Sequence, residues 1–225
     1  KGVGGTGASN QHGVVVLAGG DIIGGTSGTL TVQGTGGASL GSNNDGVRLD
    51  GAGSTITTGG ANVRITGTGG GSGGASSANV GVSLLNNGAV SGVGAATVTI
   101  AGTGGANDSD AVYIGGPVSA VAGDLLIDGV EDGGGLGADV VVDATVTTTG
   151  GGDIEIRSGR NVTGGAGGDI TSAGTSDGNV AITAADDTHG APNVVGTIQL
   201  DGDITSGVGT VTLGLPDCDG YLGSG

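Results

Sequence analysis

The chain has 225 residues, of which 59 are Gly, 3 are Pro, 2 are Tyr and none is Phe, Trp or Met. Gly costs about 1 kcal/mol per interior helix position relative to Ala, so this composition excludes an ordinary helical domain and any core built on large aromatic rings. Five Lys and Arg stand against 21 Asp and Glu, a formal net charge of −16, which excludes electrostatic attraction to nucleic acid or an anionic membrane and favours divalent cations.

A short polar leader, residues 1–12, precedes short apolar segments that come in threes. The first set is Val15–Leu17, Asp21–Ile23 and Leu30–Val32, and the second is Val47–Leu49, Thr55–Thr57 and Val63–Ile65. The third is Val82–Leu84, Ala89–Ser91 and Val98–Ile100; the fourth is Val112–Ile114, Pro117–Ser119 and Leu125–Ile127. Val140–Val142, Thr145–Thr147 and Ile154–Ile156 make the fifth. In the sixth the first segment shrinks to a degenerate Val162, followed by Asp169–Thr171 and Val180–Ile182, and the seventh is Ile198–Leu200, Asp203–Thr205 and Val211–Leu213. Alternation with period two and enrichment in β-branched residues predict a strand for each segment. Three of the third segments run into one tetrapeptide, Gly34-Thr35-Gly36-Gly37, Gly67-Thr68-Gly69-Gly70 and Gly102-Thr103-Gly104-Gly105, the mark of a repeated turn. No apolar run reaches the 18 or so residues that a membrane helix needs, so membrane insertion is not expected. Residues 215–225 form a C-terminal tail of different composition.

A three-segment superperiod predicts an all-β fold, a parallel β-helix solenoid of about seven coils with three short strands each, filling residues 13–214 as one domain. A right-handed coil follows from the handedness of parallel crossovers. Alternate Val, Ile, Leu and Ala then point into a narrow interior, and Gly serves corners that need a positive φ or a close backbone approach. An antiparallel sandwich would suit the strand spacing but would not produce the superperiod. The variable stretches, 34–45, 67–80, 102–110, 129–138, 158–161 and 184–196, all fall at one corner, the side where recognition is sought.

Gly152-Asp153-Ile154-Glu155-Ile156, Gly168-Asp169-Ile170-Thr171, Gly178-Asn179-Val180-Ala181-Ile182 and Gly202-Asp203-Ile204-Thr205 resemble the Gly-Asp/Asn-apolar-x-apolar coils of filamentous-haemagglutinin-like exoproteins and autotransporter passengers. This resemblance, spread over nearly the whole chain, implies a secreted, extracellular or cell-surface bacterial protein, elongated and adhesive or matrix-forming. An adhesive role makes glycans or surface receptors on the loops the expected external partners. The first and last predicted coils show no capping helix and would expose unpaired strand edges, so further repeats of the same chain or copies of itself stacked end to end are expected as well.

Several residues are candidates for a site. Acids in Gly-rich turns offer hard oxygen ligands for calcium: Asp108 and Asp110, Asp186 and Asp187, and the neighbourhoods of Asn43–Asp45, Glu131–Asp132 and Asp177–Asn179. No cofactor is required, and calcium is the one that the composition allows. In the second segments Thr57, Ser91, Ser119, Thr147, Thr171 and Thr205 fall in one stacked outward column, a hydroxyl ladder of the kind that ice-binding solenoids use, although Asp21, Asp169 and Asp203 interrupt its flank. Carbohydrate-active enzymes also use β-helices, and Arg48, Asp50 and Arg64 could approach one another across a coil. A glycosidase needs two carboxylates at a defined separation, and Tyr113 is the only aromatic residue away from the C-terminal end, so no catalytic site is expected. His12 and His189 lie far apart without metal-ligand spacing, and the lone Cys218 rules out an internal disulfide.

Overall fold

The computed structural model describes residues 1–72, 78–105, 109–130, 139–174, 178–185 and 196–215. Alternating segments become strands because a period of two places every β-branched side chain on the same face of an extended chain. After β1 (Gly2–Val3) the strands come in threes: β2 (Val14–Leu17), β3 (Asp21–Gly24) and β4 (Thr29–Thr35); β5 (Val47–Asp50), β6 (Thr55–Thr58) and β7 (Asn62–Thr68); β8 (Val82–Leu85), β9 (Ala89–Gly92) and β10 (Val98–Thr103). There follow β11 (Val112–Ile114), β12 (Val118–Ala120) and β13 (Leu125–Val130), then β14 (Val140–Val142), β15 (Val146–Thr148) and β16 (Ile154–Ser158). The last are β17 (Val162–Gly164), β18 (Ile170–Ser172) and β19 (Val180–Thr183), and β20 (Ile198–Leu200), β21 (Ile204–Ser206) and β22 (Val211–Gly214).

Every strand pairs in parallel with the strand three places before it, three places after it or, away from the two ends, both, giving one sheet of eight strands and two of seven. The protein is therefore an all-β solenoid with three strands per turn, about six full turns from β2 to β20. Strand neighbours lie about 4.8 Å apart along the axis, so one residue type stacks on itself from rung to rung. Ile65, Ile100, Ile127, Ile156 and Ile182 form one inward column and Val47, Val82, Val112, Val140 and Val162 another, all at most 1 % exposed. Even the degenerate segment at Val162 forms its strand, because Val140 and Ile198 on either side supply its partners.

The repeated Gly-Thr-Gly-Gly, expected as a turn, begins inside the third strand: β4, β7 and β10 end on its Thr. Its glycines are there for proximity. A Cβ on Gly34 would overlap the carbonyl oxygen of Gly46, and one on Gly67 or Gly102 would overlap that of Gly81 or Ala111, because the next first strand starts against them. The expected leader also takes part in the solenoid. Gly2 and Val3 pair with Gly34 and Thr35, and Gly4 N–H donates to the Thr35 carbonyl at 2.8 Å, as Gly36 N–H does to Thr68. Residues 2–5 are thus a further copy of the tetrapeptide with Val in place of Thr.

The Gly-Asp-apolar motif has an equally direct cause. Asp153 Oδ1 accepts the backbone N–H of Asn179 at 2.8 Å, and Asn179 Oδ1 accepts that of Thr210 at 3.0 Å. Asp139 does the same for Asn161 and Asn161 for Thr197, while Asp124 serves Asp153 and Asp169 serves Asp203. The Asx residue before a strand satisfies an N–H of the next rung that the ladder would leave unpaired.

Candidate functional site

The connections between third and first strands carry the variation in this chain, and the first half of them shapes the outer face of the sheet containing β5, β8 and β11. Their backbones are tied together by side chains. Gln11 N–H donates to Asn44 Oδ1, Asn44 N–H to Asn79 Oδ1 and Asn79 N–H to Ser109 Oγ, each at 3.0 Å. One residue earlier, Asn10, Asn43 and Ala78 all adopt left-handed backbone, with φ of 58°, 59° and 56°. One residue after Asn44 lies Asp45, only 2 % exposed.

Asp45 is held on every side. Its Oδ1 accepts Val80 N–H at 3.1 Å, and its Oδ2 accepts Ser83 Oγ–H at 2.9 Å and an Arg48 Nη1–H at 3.3 Å. His12 Nδ1 accepts the Asp45 backbone N–H at 3.3 Å and lies 3.7 Å from its carboxylate. Burial pushes the His12 imidazole below its ordinary value; the Asp45 charge pulls the other way, and Arg48 adds to the depression. Arg48 also grips Asp50, with Nε at 3.2 Å and Nη2 at 2.6 Å from Oδ2, while Asn86 Nδ2 donates to Oδ1 at 2.7 Å. Those donors, Arg48 first and Asn86 second, hold the Asp50 carboxyl below the usual carboxylate range.

Arg48, Ser83 and Tyr113 occupy one outward column of consecutive rungs. Ser83 is 1 % exposed between its two large neighbours. The Tyr113 hydroxyl donates to Asp143 Oδ2 at 2.9 Å, and burial together with this bond raises the phenol above its ordinary value. Between these side chains and the loops opens a cleft of about 350 Å³, lined among others by Asn43, Asp45, Arg48, Leu85, Asp110 and Tyr113.

The residues singled out from the sequence divide clearly. Thr57, Ser91, Ser119, Thr147, Thr171 and Thr205 stand in one unbroken register column, with Ser91 Oγ–H donating to Thr57 Oγ1 at 2.8 Å. Of the calcium candidates, Asp110 lies on the rim of the cleft, whereas Asp108, Asp186 and Asp187 lie outside the described residues, as do Glu131, Asp132, Asp177, His189 and Cys218. Asn43–Asp45 is not an open calcium loop, since Asn44 belongs to the ladder and both Asp45 oxygens already accept protein donors. Among the described residues no group of three or more His, Cys, Asp or Glu is placed to hold a metal ion. Arg48 and Asp50 do meet, but Arg64 is on β7 in a different sheet, so the expected trio does not assemble. Sequence reasoning missed the column of Arg48, Ser83 and Tyr113 and the bond from Ser83 to Asp45; aligning the rungs would have revealed the column as large, small, large.

No family model, no curated protein and no solved structure matches this chain. Among the described residues no helix is long and apolar enough to cross a membrane.

Proposed function

We propose that the chain is a structural and interaction segment of a secreted bacterial surface protein or extracellular fibre, a rod of the adhesin or matrix type. The observation that carries this reading is the placement of variation. Connections 36–46, 69–81, 104–111, 131–139, 159–161 and 184–197 join a third strand to the next first strand and range from 3 to 14 residues, while links at the other two corners hold between 3 and 7 and the three sheets run on undisturbed. A scaffold that repeats its core and varies one edge presents different surfaces along a line. The excess of acid supports solubility at the high local density of a fibre.

Contact with further rungs, of the same chain or of a second copy, belongs to this reading. Val211 and Leu213 occupy inward core positions yet are 44 % and 55 % exposed, and a parallel rung laid against β20, β21 and β22 would cover them. Antibody labelling of intact and permeabilised cells of the producing bacterium tests the proposal. Labelling of intact cells, with rod-shaped particles in negative stain of the purified chain, is the expected result; labelling only after permeabilisation overturns it.

A further inference from the structure

We propose that the cleft over β5, β8 and β11 binds a neutral saccharide unit. Arg48 and Tyr113 rise from rungs two apart, about 9.6 Å along the axis, and the small Ser83 between them leaves a trough rather than a packed stripe. Its lining combines an apolar part, Val80, Leu85 and the Tyr113 ring, with a polar rim of Asn10, Asn43, Arg48 and Asp110, while Asp45 lies buried beneath with its oxygens already bonded. A volume of about 350 Å³ falls at the small end of ligand pockets.

Charge narrows the ligand. The guanidinium of Arg48 is already neutralised by Asp45 and Asp50, and these carboxylates together with Asp110, in a chain of net charge −16, oppose an anionic ligand. A polyol needs neither sign, and each of its hydroxyls both donates and accepts. Arg48 commits three of its five N–H groups to Asp45 and Asp50, which leaves two for ligand oxygens. Asn10 and Asn43 offer amides of both kinds. The C–H face of a pyranose matches an aromatic ring, and this ring is already fixed. The Tyr113 hydroxyl is tied to Asp143, and its Cε1 lies where a Cβ on residue 115 would be 2.6 Å away, a position open only because residue 115 is Gly. A preset platform avoids the ordering cost of binding. The cleft and its ligand can be tested whether or not the chain is secreted.

The test is saturation-transfer NMR and calorimetry on the whole chain with glucose, galactose, mannose, N-acetylglucosamine and their disaccharides, set against glucuronate, galacturonate and glucosamine. At least one neutral sugar is expected to bind at concentrations up to about 10 mM, with the uronates weaker by roughly tenfold. The ring signals of Tyr113 should shift on its addition. Tyr113→Ala should weaken binding by about tenfold or more, and Tyr113→Phe, which keeps the ring, by no more than about threefold; unchanged melting temperatures confirm that both variants are folded. The proposal is overturned if no neutral sugar binds, if a charged sugar binds best, if Tyr113 signals stay still, or if a folded Tyr113→Ala binds as well as the unaltered chain.

Discussion

Ile100→Ala is the sharpest probe of what holds the rungs together. Ile100 is fully buried and sits in register between Ile65 and Ile127, both equally buried. The substitution removes three methyl or methylene groups, roughly 2.4 kcal/mol of transfer free energy at about 0.8 kcal/mol each. The column cannot close around the void, because Ile65 and Ile127 are each pinned by their own ladders. A cavity contribution therefore adds to the transfer loss, and about 4 kcal/mol in all is expected, a large part of the roughly 5–15 kcal/mol that stabilises a folded domain. Leu213→Ala in β22 removes as much carbon from a side chain already 55 % exposed, and should cost about 1 kcal/mol. Urea titrations of both variants, with hydrogen exchange of β7, β10 and β13, provide the measurement, since each rung leans only on its neighbours. A loss under about 1 kcal/mol for Ile100→Ala, or one no larger than that of Leu213→Ala, would refute the aliphatic column as the organising element.

Three further outcomes follow from individual side chains. Thr58 Oγ1 is buried without a hydrogen-bond partner, so Thr58→Val, which keeps the shape and removes the hydroxyl, should raise stability by about 1 kcal/mol in urea melts; a loss would mean that the hydroxyl is satisfied in solution. Asp153→Ala should cost about 1 kcal/mol by orphaning the Asn179 N–H, while Asp153→Asn, which keeps the acceptor oxygen, should cost clearly less; equal losses would show that the side-chain oxygen is not what matters. The folded state disfavours a proton on His12, so the unfolded chain binds it first as pH falls below the ordinary value of 6.5. Stability is then full above that pH and declines below it until the depressed folded value is reached. Thermal melts between pH 8 and 5 should show this decline, and His12→Gln should reduce it; an unchanged slope in the variant would assign the decline elsewhere. The Asp50 carboxyl, depressed by Arg48 and Asn86, contributes stability that persists above 3.8 and fades only at more acid pH, so the two effects separate on the pH axis.

The number of strands per turn, their parallel stacking and the inward columns were all legible in the amino-acid order. A solenoid rung pairs with the rung about 30 residues on, so one repeating spacing, read through Val63, Val98 and Leu125, sets the register everywhere. The hydroxyl column from Thr57 to Thr205 was legible for the same reason. What the order did not disclose depends on contacts across a corner. Gly34, Gly67 and Gly102 read as turn residues, yet they lie in strands, because only the folded chain shows which carbonyl their missing Cβ makes room for. Asp45 read as an open acidic ligand and proved to be a buried acceptor, since its donors, Arg48, Val80 and Ser83, come from two rungs and a loop. The cleft is a tertiary product in the same sense: a large, a small and a large side chain become two walls and a floor only once three successive rungs set them side by side.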